Sequence, residues 1–305
     1  MIQIQSLTKT YGRNQPPALD SASFEVRDGE IVGFVGLNGA GKTTTIRLAV
    51  GVSLPTSGTV VVDGYDIVKD KAKASEKIGW VPEFPNYELN AKVKSLLNYF
   101  AGFYGLSGEE ADKRIKQLIA SVGLTGYENR KLRTYSQGMK KRFSLAASMI
   151  SDPQNLLFDE ILNGLDPEGI HFMRSLMLDL KRRNKAVLLS SHILTEVENI
   201  ADRVVFVHRG KILQVVTRGE LAVFGASGGS LKLVIQNLNE DAVNYLRTLS
   251  NEVMVDGNSV VISNFHGDSA QVNAELVRRG FNVRELSFEK SNLEEYFFKI
   301  VKEAG

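Results

Sequence analysis

An α/β fold around a largely parallel sheet, followed by a smaller α+β domain, is the class this sequence predicts. Three observations point there. Strand-like apolar runs alternate with helical stretches up to about residue 222. A glycine-rich loop lies between an apolar strand and a helix at residues 31–50. After residue 231 the chain reads strand, helix, two strands, helix, strand and a final helix.

The first block has strand-like runs at 3–7, 23–26, 31–35, 59–62, 78–81, 155–158, 186–190, 204–207 and 211–216. Several are nearly continuous in apolar residues, as parallel strands covered on both faces require. Between residues 90 and 133 the strand signals vanish and helical spacing takes over, with Leu96, Leu97 and Phe100, then Ile115, Leu118 and Ile119. The expected first domain therefore spans 1–223 and carries a helical insertion at about 90–150. The small residues of 224–230, Phe224-Gly225-Ala226-Ser227-Gly228-Gly229-Ser230, read as a linker.

In 231–305 strands are expected at 231–235, 252–255, 259–263 and 282–288, with helices at 241–249, 269–279 and 293–302. Asp256-Gly257-Asn258 between two of the strands is a hairpin signal. The order is ferredoxin-like. No metal-ligand or phosphate motif occurs in it, so it reads as a docking or dimer-stabilising appendage rather than a ligand sensor.

Composition narrows the classes. The 305 residues have a formal net charge of +2 and are 43% hydrophobic, enough for real cores and against a dedicated nucleic-acid surface. Lys140-Lys141-Arg142 reads as a solvated helix face. With no cysteine, disulfides and thiolate metal sites are excluded, and a reducing compartment fits. The start, Met1-Ile2-Gln3-Ile4, lacks the pattern of a signal peptide. No run of about 18 apolar residues occurs, so a soluble chain without a transmembrane segment of its own is expected.

The chemistry starts at Gly36-Leu37-Asn38-Gly39-Ala40-Gly41-Lys42-Thr43-Thr44, which fits the phosphate-cradling P-loop pattern between a strand and a helix. Glycines let successive N–H groups point at phosphate oxygens, and the helix start adds positive potential. Lys42 supplies a charge to the β- and γ-phosphates, and the Thr43 hydroxyl can ligate Mg²⁺. The alternative, a glycine turn with a solvated lysine, does not explain the flanking strand and helix. A nucleoside triphosphate and Mg²⁺ are the expected ligands. The strand Asn155-Leu156-Leu157-Phe158 runs into Asp159-Glu160, which puts two carboxylates at the carboxyl edge of a sheet. Asp159 would hold the metal, and Glu160 would orient and deprotonate the attacking water.

Further segments carry a family resemblance. Tyr135-Ser136-Gln137-Gly138-Met139 resembles the LSGGQ signature of the ATP-binding-cassette (ABC) superfamily; Asn163-Gly164-Leu165-Asp166-Pro167 resembles its D-loop, and Ser190-Ser191-His192 its switch histidine. Ile78-Gly79-Trp80-Val81-Pro82-Glu83 sits where the family has its Q-loop. The motifs come in the family's order and cover roughly residues 1–222. The resemblance implies that Tyr11 stacks on adenine, that His192 contacts the γ-phosphate, and that Glu83 lies near the metal. It also implies that Ser136, Gln137 and Gly138 face the nucleotide of a second copy, with Asp166 in the D-loop between them. Each residue has a plainer reading: Tyr11 as a loop aromatic, His192 as a helix-cap neighbour, Ser136 as a helix N-cap.

Three departures stand out. The signature's second glycine is Gln137, the Q-loop glutamine is Glu83, and the Pro-Thr that usually follows the catalytic glutamate is Ile161-Leu162. None removes Lys42, Asp159, Glu160 or His192. The expectation is an active ATPase subunit resembling those of ABC-2 type exporters. It would act as a homodimer on the cytoplasmic face of a membrane, driving a separate permease. The alternative is a soluble ABC ATPase of translation or DNA maintenance; a single P-loop and the lack of sustained heptads speak against it.

Overall fold

The structure is a computed structural model that describes residues 1–226, 229–290 and 292–303. Its contacts divide the chain into two compact units, Met1–Val216 and Thr217 onward.

The first unit opens with β1 (Ile2–Lys9), β2 (Leu19–Val26), β3 (Ile31–Val35), α1 (Lys42–Ala49), β4 (Ser57–Val62), β5 (Tyr65–Asp66), α2 (Lys71–Glu76) and β6 (Ile78–Val81). Three helices, α3 (Val93–Phe103), α4 (Gly108–Ser121) and α5 (Gln137–Ser148), come next. The unit closes with β7 (Asn155–Asp159), α6 (Pro167–Arg182), β8 (Ala186–Ser191), α7 (Leu194–Ile200), β9 (Arg203–His208) and β10 (Lys211–Thr217), the last ending at the unit boundary.

Two sheets result, a four-stranded one in the order β2-β1-β4-β5 and a six-stranded one in the order β10-β9-β3-β8-β7-β6. The run β9-β3-β8-β7-β6 is parallel throughout. Every residue of β3, β7 and β8 is buried, which is why they read as unbroken apolar runs. The outer sheet is antiparallel, with β1 pairing both β2 and β4. Its strands alternate between core and surface, and their buried side pairs residues such as Ile2 with Val26 and Val62. The two sheets share one core, in which Phe24 stacks on Phe34 at 5.2 Å.

The second unit begins with α8 (Arg218–Ala226), whose last three residues fall in the expected linker 224–230. Thr217 and Glu220 bond reciprocally: Thr217 N–H donates to Glu220 Oε2 at 2.6 Å and Glu220 N–H to Thr217 Oγ1 at 3.3 Å. That is a capping box, and it starts a helix that runs into the expected linker. Phe224 sits edge-on to Tyr296 at 4.7 Å, so this stretch does contain a large apolar anchor. Ser227 and Gly228 of the expected linker lie outside the described residues.

The unit continues through β11 (Gly229–Ile235), α9 (Glu240–Arg247), β12 (Val253–Asp256), β13 (Ser259–Phe265), α10 (Ser269–Arg278), β14 (Val283–Lys290) and α11 (Leu293–Glu303). The sheet order is β12-β13-β11-β14, with β13 antiparallel to β12 and β11, and β11 antiparallel to β14, which is the ferredoxin-like arrangement. Gly257 and Asn258 make a two-residue hairpin turn, with Gly257 at φ +56°.

Candidate functional site

The strand order β3-β8-β7 puts the carboxyl ends of three parallel strands side by side. The loop after β3, the pair Asp159-Glu160 at the end of β7 and His192 after β8 therefore meet at one sheet edge, where open α/β folds take ligands.

The loop is shaped by close packing. A Cβ on Gly36 would stand 2.3 Å from the carbonyl oxygen of Val207, so no other residue fits there. Gly41 adopts φ +110° as the cap that precedes α1. Ala40 is buried, while Leu37, Asn38 and Gly39 face outward. Lys42 turns back under the loop: its Nζ donates to Gly36 O at 2.7 Å and Leu37 O at 3.3 Å. The same ammonium lies 3.1 Å from Glu160 Oε1, with each side chain only 6% exposed.

Glu160 is held from several sides. Its other carboxylate oxygen, Oε2, is 2.9 Å from His192 Nδ1. The Glu160 backbone sits at φ +48°, uncommon for a residue with a side chain. Its N–H donates to Ser190 Oγ at 3.0 Å and to Ser190 O at 3.2 Å. The Ser190 hydroxyl donates onward to Asp159 Oδ1 at 2.6 Å, and Thr43 Oγ1 lies 3.3 Å from the same oxygen. Burial pushes the Asp159 carboxyl above its ordinary range; the Ser190 and Thr43 hydrogen bonds oppose the shift and the neighbouring Glu160 adds to it.

A cavity of about 380 Å³ is lined by Asn38, Gly39, Gly41, Lys42, Thr43, Thr44, Glu83, Glu160, Asn163 and His192, together with Ala18. A second, of about 510 Å³, is lined by Tyr11, Thr43, Arg47, Trp80, Glu83 and Asp159 among others. Tyr11 is 58% exposed, with its hydroxyl 3.5 Å from Thr44 Oγ1 and the Lys9 ammonium over its ring at 5.1 Å. Glu83 is half-buried. Burial raises its carboxyl, as do the charges of Asp159 and Glu160, while Lys42 and His192 pull it down.

Ser136, Gln137, Gly138 and Asp166 line neither cavity. Ser136 caps α5, accepting from Met139 N–H at 3.2 Å, and Asp166 caps α6, accepting from Gly169 N–H at 2.8 Å. Gln137 is exposed and Gly138 half-buried; a Cβ on Gly138 would meet nothing closer than Leu165 Cδ2 at 3.8 Å. Ile161 and Leu162 are buried, so the departure from Pro-Thr adds apolar side chains to the core.

The basic run after Gly138 is not the solvated face expected of it. Lys141 Nζ donates to the carbonyls of Ile161 and Asn163. Arg142 stacks on Phe172, 4.1 Å from the ring centre. Sequence reasoning also passed over Ser190, whose polar side chain at the end of the apolar run 186–189 is the available signal.

Thr43 and Asp159 offer hard oxygen donors beside the phosphate loop, the chemistry Mg²⁺ prefers. Among the described residues no group of three or more His, Cys, Asp or Glu could hold a metal by itself. Mg²⁺ seldom requires one, since it is bound by one or two protein oxygens together with substrate phosphates and water.

Residues 19–163 match the family described as ABC transporter. Over nearly its whole length the chain is 33% identical to a bacitracin transport ATP-binding protein of Bacillus licheniformis, covering 99% of this chain and 97% of that protein. The chain belongs to the ABC transporter family. A linearmycin resistance ATP-binding protein of Bacillus subtilis is 30% identical, with 98% of each chain covered. A solved ATP-binding subunit of an ABC transporter superposes with a TM-score of 0.67 at 29% identity, over 73% of this chain and 92% of that one. As a member of this family, the chain is an ATP-binding and ATP-hydrolysing transporter subunit. Among the described residues no helix is long and apolar enough to cross a membrane.

Proposed function

We propose that this chain is the ATPase subunit of an ABC exporter. Two copies would sandwich two ATP molecules on the cytoplasmic face of a membrane and drive a separate permease. The observation that carries the reading is the contact chain Lys42–Glu160–His192, a buried cation and carboxylate met by an exposed imidazole at the edge of the phosphate loop.

The loop from Gly36 to Thr44 would cradle the phosphates, with Lys42 on the β- and γ-phosphoryl oxygens and Tyr11 against the adenine. Thr43 and Asp159 would hold Mg²⁺, with Glu83 at its margin. When bound, the ion would supply charge neutralisation at the phosphate oxygens. Glu160 would take a proton from water as the water attacks the γ-phosphorus and ADP leaves. His192, bonded to the same carboxylate, would orient it beside the γ-phosphate. Ser136, Gln137 and Gly138 would complete the site of the second copy, with Asp166 near the join. The capped start of α5 presents free N–H groups suited to phosphate oxygens.

The outward direction is supported by the relatives, one named for bacitracin transport and another for linearmycin resistance. Such names favour transport over a soluble ATPase of translation or DNA maintenance.

Sedimentation of the Glu160→Gln variant with and without ATP tests the sandwich. The variant should be monomeric alone and dimeric with ATP, since the γ-phosphate persists and continues to join the two faces. A monomer at saturating ATP would overturn the dimer reading.

A further inference from the structure

Lys141 lies on α5, the helix that begins at the Ser136 cap. Its ammonium leaves that helix and donates to two backbone carbonyls, Ile161 O at 2.7 Å and Asn163 O. Both carbonyls belong to the turn directly after Glu160. One side chain thus ties the signature helix to the residues that follow the expected base.

That turn needs an external hold. Glu160 sits at φ +48°, a conformation that persists when its surroundings over-determine it. Within the turn, Asn163 N–H donates back to Glu160 O at 3.2 Å. Asn163 also lines the cavity shared by Lys42, Thr43, Glu160 and His192. Burial holds the Lys141 ammonium below the ordinary lysine range, while the charges of Glu83 and Glu160 draw it upward. A partly desolvated cation makes strong bonds to carbonyl oxygens.

We propose that Lys141 is a positioning residue for ATP hydrolysis: by clamping the Ile161 and Asn163 carbonyls it fixes the turn that aims the Glu160 carboxylate into the cavity. The inference rests on Glu160 being the base. The mechanism is geometric, because Lys141 transfers no proton and touches no nucleotide. Without the clamp, Glu160 keeps Lys42, His192 and the Ser190 bonds of its own N–H, but the turn on its carbonyl side loses its hold. Nucleotide binding by the loop from Gly36 to Thr44 does not depend on that turn.

The test compares Lys141→Met, Lys141→Arg, Glu160→Gln and the Glu160→Gln/Lys141→Met double variant in the full-length chain. kcat and KM for ATP are measured together with equilibrium ATP affinity. Methionine keeps the length but has no donor, and arginine can reach both carbonyls. Lys141→Met should lose on the order of 10- to 100-fold in kcat, the scale of a small misplacement of a reacting group, with ATP affinity unchanged. Lys141→Arg should restore most of the rate. The double variant should be no slower than Glu160→Gln alone, because a group that acts through Glu160 has nothing left to position. If Lys141→Met does not fold, Lys141→Gln, whose shorter arm cannot reach both carbonyls, is judged by the same criteria. An unchanged kcat, a parallel loss of kcat and affinity, no rescue by arginine, or a loss that adds to Glu160→Gln would each overturn the proposal. A Glu160→Gln variant with the wild-type rate would instead overturn the assignment of the base, so the two failures are distinguishable.

Discussion

In the unit ending at Val216 the core closes around Lys42, Asp159 and Glu160, whereas the unit from Thr217 buries only apolar side chains among the described residues. Both units put helices on sheets and fill the space between them with Leu, Ile, Val and Phe. They differ in what else they take out of water. Burying a carboxylate or an ammonium costs several kcal/mol unless it is paired and hydrogen-bonded. The first unit offsets that cost with the Lys42–Glu160 contact, the Glu160–His192 bond and the Ser190 hydroxyl on Asp159. An apolar core like that of the second unit carries no such cost, and its strand β11 simply alternates between buried and less buried residues. Charge buried at a stability cost marks where the chemistry is; its absence marks a unit built for packing.

The contrast predicts opposite phenotypes. Lys42→Ala should weaken ATP binding by about 10- to 100-fold, the loss of charge-assisted phosphate contacts. Titration calorimetry would read it, and an unchanged affinity would break the comparison at its first term. Leu246, fully buried in the second core, behaves differently: Leu246→Ala should cost about 2–5 kcal/mol of stability in that unit, from transfer and cavity terms. ATP affinity should stay at the wild-type value, and a fall would show that the two units do not divide the labour in this way.

The smallest effect concerns Glu83. Burial, then the charges of Asp159 and Glu160, lift its carboxyl above the ordinary value of 4.5. A raised carboxyl favours the folded state in its neutral form. Its contribution is therefore fully present below the ordinary value and is lost as pH climbs through the higher folded one. Glutamine never ionises, so Glu83→Gln should melt slightly above the wild type at neutral pH, with the difference vanishing in mild acid. ATP affinity should hardly change, while the magnesium dependence of hydrolysis should shift. Equal melting points at neutral pH would remove Glu83 from the charged cluster.

Much of the site was legible because the chemistry dictates residue types at fixed spacing. The glycines and Lys42 declare a phosphate loop, and strand β3 follows the apolar run 31–35 residue for residue. What escaped depends on three-dimensional register. Ser190 stands opposite Asp159 only because β7 and β8 pair as they do, and local pattern does not reveal that partner. The separate antiparallel sheet was missed for the same reason, and β5, two residues long, is too short to leave a period. Two errors had signals available. Successive residues on a helix point about 100° apart, so Lys140, Lys141 and Arg142 cannot share one solvated face. Thr217-Arg218-Gly219-Glu220 fits the spacing of a capping box, which announces α8 before its small residues suggest a linker.

The central claim is that Glu160 serves as the base while the phosphate loop and Lys42 bind the nucleotide. Glu160→Gln keeps the size and one oxygen acceptor but cannot accept the proton. Turnover and equilibrium ATP affinity should be measured on the same preparation of that variant. The account predicts a fall in hydrolysis of about 10²- to 10⁴-fold with ATP still bound. Hydrolysis at the wild-type rate, with Lys42 and His192 intact, would contradict it.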